Sequence, residues 1–215
     1  MIYNNDFIWL HFPKCAGTKI EKLFTRYLAK QKGIHMDTID IRVNPDVSWH
    51  DSIEDRINRD PTFLVGSRAI ICPFRKLPKW LESRFNFEVM RNPALSHNPA
   101  FLLEGKFLES NGYKNHADYY VRKYLPETIL GSEKIRFLRT EFFEADFKEI
   151  FSDYLDISSI PDHEYKKTEN ASKSFLPAKI KQQLSDNITE LYNQCPYWKH
   201  VEEIAYDIKN STTTV

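Results

Sequence analysis

At 215 residues, 41% of them hydrophobic, the chain is long enough to form one domain, residues 1–215, with a sizeable core on which C-terminal helices from about 176 pack. Thirty basic residues cancel thirty acidic ones, which argues against a general nucleic-acid binder and confines any positive field to a local cleft. No apolar segment reaches signal-peptide or membrane-spanning length, so the expectation is a soluble, cytoplasmic protein.

In chain order, the first element is a buried strand over Phe7–His11, closed by Pro13, which cannot donate to a ladder. Ile20, Leu23, Phe24, Tyr27 and Leu28 then recur at helical spacing, so a helix begins within a few residues. Thr18 and Glu21 are placed as a capping pair for its first turn. Between strand and helix lies a loop in which the Lys14 ammonium, the first free amides over Cys15, Ala16, Gly17, Thr18 and Lys19, and the positive end of the helix can converge on a doubly charged oxyanion. The loop is not the G-x-x-x-x-G-K-[ST] cradle of magnesium-dependent nucleotide kinases, because the lysine precedes the glycine.

Thr62–Gly66 predicts a second buried strand, and 77–84 a helix. Phe85, Phe87 and Val89 alternate with polar or flexible residues, predicting a strand that ends at Arg91, with Asn92 and Pro93 opening a helix. Asn98-Pro99 divides the next stretch into a turn at 93–97 and a helix from Pro99. Further on come helices over 115–125 and 141–155, a strand over Ile135–Leu138, a polar connection over 156–175, an amphipathic helix through Ile180, Leu184, Ile188 and Leu191, and a final helix over about 199–209. Alternating strands and helices predict a three-layer α/β/α fold with a mostly parallel central sheet and a P-loop-like nucleotide-binding topology. In such sheets ligands bind outside the carboxyl ends of the strands, which is where Lys14 and Arg91 are expected. Cysteines 15, 72 and 195 match no zinc-ligand spacing and are expected to be reduced thiols.

His11-Phe12-Pro13-Lys14-Cys15-Ala16-Gly17-Thr18 resembles the 5′-phosphosulfate loop of sulfotransferases, especially the carbohydrate type, which commonly reads H-I-P-K-T-G-G-T. The resemblance extends to Arg91-Asn92-Pro93, similar to the family's strand followed by R-D-P or R-N-P, with a serine eight residues after the arginine, that binds a 3′-phosphate. The position eight after Arg91 is Pro99, and the nearest hydroxyl is Ser96. The resemblance implies 3′-phosphoadenosine 5′-phosphosulfate (PAPS) as sulfuryl donor, no metal, and a hydroxyl acceptor on a carbohydrate. It also implies Lys14 at the bridging oxygen and residues 15–19, Arg91 and Ser96 around the nucleotide. Where many relatives carry glycine-histidine, this chain reads Gly66-Ser67-Arg68, so the general base is sought among His35, His50, His97 and His116, with His97 nearest the second motif. Arg68 is placed as a contact for an anionic acceptor. The alternatives are a non-catalytic relative that binds the nucleotide and, weakened by the missing G-K-[ST], a phosphate-loop kinase.

Overall fold

The computed structural model describes residues 1–31, 33–44, 46–96, 98–167 and 174–207. It is an α/β protein that divides into two compact units, Met1–Phe74 with Thr128–Glu169, and Arg75–Glu127 with Asn170–Val215.

The first unit is built on a five-stranded sheet. Its strands are β1 (Ile2–Tyr3), β2 (Phe7–Trp9), β3 (His35–Met36), β4 (Ala69–Phe74) and, last in the chain, β7 (Ile135–Arg139), in the spatial order β3-β1-β2-β4-β7. Phe7 pairs with Ala69 and Ile70 with Ile135 in parallel ladders, while β1 runs antiparallel to both its neighbours, so four strands share one direction and β1 opposes them. All residues of β2 and β4 are buried, which is why both read as near-continuous apolar runs. Phe7, Trp9, Ala69 and Ile71 pack with α1 (Gly17–Leu23), with the π-helical turn Phe24–Leu28 that continues it, and with α6 (Phe143–Phe151), through Ile20, Leu23, Phe24, Phe147 and Phe151. Between β3 and β4 lies α2 (Ile53–Arg59), opened by a reciprocal capping box of Ser52 and Asp55.

Two expected strands are absent. Thr62–Gly66 is loop; the strand begins at Ala69 and contains Pro73, a residue that ordinarily argues against a central strand. The register resolves this. Ala69 donates to Asp6 O and Ile70 to Lys134 O, so odd-numbered amides of β4 face β2 and even-numbered ones face β7. Pro73 therefore lacks its N–H on the side where β2 has already ended at Trp9. Phe85–Met90, the other expected strand, lies inside α3 (Leu77–Arg91). Its buried residues Leu77, Trp80, Leu81, Phe85, Glu88 and Val89 recur every three or four positions, and this longer period outweighs the local alternation of Phe85, Phe87 and Val89.

In the second unit, α3 is followed by 3-10 turns at Pro93–Ser96 and Pro99–Glu104, the hairpin of β5 (Lys106–Leu108) and β6 (Lys114–His116), and α4 (Ala117–Tyr124). Near the C-terminus come α8 (Ala178–Asp186), α9 (Ile188–Gln194) and α10 (Pro196–Asp207); the chain passes from one unit to the other within α5 (Glu127–Leu130), and α7 (Asp162–Lys166) belongs to the first unit. Trp80 of α3 and Trp198 of α10 meet at a tilt of 45° with ring centroids 4.7 Å apart, and Phe107 and Tyr120 both close on Trp80. Aromatic contacts of this kind carry the core of the second unit. No helix among the described residues is long and apolar enough to cross a membrane.

Candidate functional site

Between β2 and α1 the chain makes a tight loop at the carboxyl end of the sheet. Leu10 still donates to Ile71 O at 2.9 Å; from there the backbone leaves the ladder, and Cys15 N donates to Phe12 O at 3.3 Å. Lys14 (φ 67°) and Ala16 (φ 63°) are left-handed, a conformation that costs non-glycine residues about 1 kcal/mol or more each. Such strain persists where the surrounding fold enforces it and is concentrated at binding sites. Lys19 and Ile20 donate to Ala16 O, while the amides of Ala16, Gly17 and Thr18 precede the first helical hydrogen bond and have no carbonyl partner among the described residues. Of the amides over residues 15–19, the three central ones thus have no backbone acceptor among the described residues.

The helix start is not capped as the sequence suggests. Ala16 is the N-cap and no side chain caps the first turn. Glu21 instead turns to His11, whose Nδ1 stands 2.8 Å from Glu21 Oε1, an ion-pair distance without the angle of a hydrogen bond; both residues are buried. The His11 ring also fixes the identity of residue 17. A Cβ at Gly17 would lie 1.9 Å from His11 Nε2, so the loop can close on the imidazole only with glycine there. His50, half-buried, lies against His11 with ring centroids 4.3 Å apart and the rings tilted by 48°. Its Nδ1 is 3.1 Å from the His11 carbonyl oxygen. A carbonyl only accepts, so Nδ1 carries the proton and Nε2 is the basic nitrogen of the neutral ring.

The remaining residues expected at the site are dispersed. The Lys19 ammonium donates to Tyr165 O and lies 4.1 Å over the Phe143 ring, which makes its side chain a brace between α1 and α7. Arg68 immediately precedes β4, level with Asp6, at the amino end of parallel strands whose carboxyl ends lead to the Lys14 loop. A six-residue strand is roughly 20 Å long. Arg68 is therefore remote from that loop; it donates to Val65 O and lies 4.5 Å over the Phe63 ring, and burial lowers the pKa of its guanidinium. Arg91 is not at a strand end but in the last turn of α3, exposed and stacked on Phe87 at 5.4 Å. Ser96 closes the 3-10 turn after it, and His97 lies outside the described residues.

The strand end that the sequence conceals belongs to β4. Arg75 is the residue immediately after Phe74, α3 opens two residues later with Pro78 in its first turn, and Ser83 comes eight positions after Arg75. The signal is Ala69-Ile70-Ile71-Cys72-Pro73-Phe74, an apolar run interrupted only by Pro73, a residue that ordinarily argues against a central strand. Arg139 ends β7 in turn, but its guanidinium and amide are held by Asp146, with Nε–Oδ2 at 2.7 Å, Nη2–Oδ1 at 2.6 Å and N–Oδ2 at 2.8 Å. Asp146 is thus fold-supporting, while Glu141, at the start of the same segment, accepts from the Thr140 hydroxyl on the surface.

All three cysteines are reduced and buried. Burial pushes the Cys72 thiol well above its ordinary range, and burial together with the Asp118 charge raises Cys195 to about 12, so neither is a ready nucleophile. No family model, no curated protein and no solved structure matches this chain.

Proposed function

We propose that the protein is a sulfotransferase that moves the sulfuryl group of PAPS to a hydroxyl, on a carbohydrate acceptor. The observation that carries the reading is the loop after β2, where a lysine, two left-handed residues and three unspent amides stand together at a strand's carboxyl end. In this reading the amides of Ala16, Gly17 and Thr18 take the 5′-phosphate, with Cys15 beside it, and Lys14 stabilises the bridging oxygen as negative charge develops there. The family's 3′-phosphate pattern, an arginine after a strand with a serine eight residues on, is matched in sequence by Arg75 and Ser83 rather than by Arg91 and Ser96. His50 is the base. Its Nε2 accepts the acceptor's proton while the His11 carbonyl holds the tautomer, and Glu21 steadies His11 beneath the loop.

Thermal unfolding with 3′-phosphoadenosine 5′-phosphate, or with ATP plus magnesium, tests the reading on the wild type and on Lys14→Ala, Arg75→Ala and Arg91→Ala. The 3′-phosphorylated nucleotide at about 100 times its Kd should stabilise the wild type by roughly 2.7 kcal/mol, a shift of several degrees. Lys14→Ala and Arg75→Ala should abolish that shift and Arg91→Ala should keep it. Stabilisation by ATP with magnesium alone would replace the sulfotransferase with a kinase. Loss of the shift in Arg91→Ala but not in Arg75→Ala would return the 3′-phosphate to Arg91.

A further inference from the structure

Within the second unit, one group of three side chains with metal-ligating atoms stands together among the described residues. The donor atoms of His116, Asp118 and Cys195 lie within 4.8 Å of one another. His116 ends β6 and caps α4, Asp118 sits in the first turn of α4, and Cys195 immediately precedes α10. Cys195 Sγ is 4.0 Å from His116 Nε2 and 3.7 Å from the Gly105 carbonyl oxygen. One imidazole nitrogen, one carboxylate and one thiol form a mixed N, O and S set. Calcium and magnesium take oxygen alone, whereas zinc takes all three donor types.

We propose that His116 Nε2, one carboxylate oxygen of Asp118 and the Cys195 thiolate bind a zinc ion, with the Gly105 carbonyl oxygen or a water as the fourth donor. With Zn–S of about 2.3 Å and Zn–N of about 2.0 Å, a tetrahedral ion sets its sulfur and nitrogen ligands about 3.6 Å apart, so the observed pair needs to close by only a few tenths of an ångström.

Three features prepare the place. Asp118 accepts the Tyr197 amide on Oδ2 at 2.9 Å and the Trp198 amide on Oδ1 at 2.7 Å, which orients the carboxylate while each oxygen keeps a lone pair for a metal. Cys195 is held at the junction of α9 and α10, its amide donating to Leu191 O at 3.1 Å and to Tyr192 O at 3.2 Å, and burial with the Asp118 charge keeps the thiol protonated until a cation displaces the proton. Gly105 is left-handed (φ 68°), and a Cβ there would lie 2.2 Å from Sγ and 3.5 Å from His116 Nε2, so the space beside both donors is kept clear by a residue that has no side chain.

The proton balance is simple. The thiol proton leaves to solvent as the S–Zn bond forms, and the imidazole proton moves from Nε2 to Nδ1. That shift gives up the Asp118 N–H···Nδ1 contact, which at 3.3 Å is a long hydrogen bond. The ion would tie the β6–α4 junction to the α9–α10 junction.

The test uses the full chain, stripped with a chelator and titrated with zinc against a chromophoric chelator, and separately with cobalt(II). The wild type is expected to bind one equivalent, raise its thermal midpoint with zinc, and give a cobalt adduct with a sulfur-to-metal charge-transfer band. Cys195→Ser should erase that band, and His116→Gln should weaken zinc binding by more than about a hundredfold, beyond what loss of a supporting group alone brings. Should either variant fail to fold, the wild-type cobalt spectrum still decides. Absence of zinc binding, a cobalt adduct without the thiolate band, or unchanged affinity in both variants would overturn the assignment.

Discussion

Asp146→Ala is expected to lower stability by about 3–5 kcal/mol, because it leaves the buried Arg139 guanidinium without the carboxylate that now takes two of its N–H groups. Both side chains are almost wholly buried, at 5% and 2% exposure, so water cannot replace the lost acceptor. The same oxygen accepts the Arg139 amide, and its loss therefore also loosens the turn that joins β7 to α6. Urea unfolding followed by tryptophan fluorescence measures the effect. Asp146→Asn, which keeps one acceptor oxygen, should fall between the wild type and alanine. Glu144→Ala, which removes a pair with Lys148 on the surface of the same helix, should move the midpoint far less. Equal midpoints for Asp146→Ala and the wild type would mean that the pair contributes no net stability.

Legibility in the sequence tracks the range of the interactions. The strand from Phe7, the proline stop, the lysine loop and the helix from residue 17 are all encoded within about twenty neighbouring residues, and the structure places each of them. Strand β4 was hidden by one residue. Pro73 reads as a break, and only the pairing register reveals that its missing donor faces a strand that has already ended. The helical period of α3 needs the full stretch from Leu77 to Arg91, and a window of six residues around Phe87 catches an alternation that does not continue. The Arg91 assignment depends on that window and moves with it.

The polar structure beneath the loop had a different reason for escaping notice. Thr18 and Glu21 have the spacing of a capping box, and a carboxylate at that position ordinarily satisfies a backbone donor. Glu21 has a nearer claim in His11, ten residues away in sequence and brought alongside by the tight turn, and His50 arrives from a different part of the chain. No periodicity links His11, Glu21 and His50. Gly17 was legible as a loop glycine, yet its physical reason is the imidazole pressed against it, since its backbone does not need a positive φ.

That distinction yields the second large effect. Gly17→Ala puts a methyl group 1.9 Å from His11 Nε2, far inside van der Waals contact, and His11 is hemmed in by Glu21, Trp9 and His50. Either the imidazole leaves its place or the start of α1 shifts. Both outcomes disturb the amides of residues 16–18, so in the reading proposed above nucleotide affinity should fall by roughly a hundredfold or more, with about 1–3 kcal/mol of stability lost to overpacking. If steric conflict is the cause, the loss must depend on the ring. In a His11→Ala background the added methyl enters space that the imidazole vacated, and Gly17→Ala should cost much less stability there. A double-mutant cycle read by urea unfolding measures the coupling, expected to be about 0.5–3 kcal/mol on the usual scale for residues in contact. Additive effects would show that glycine is required at this position for a reason other than His11.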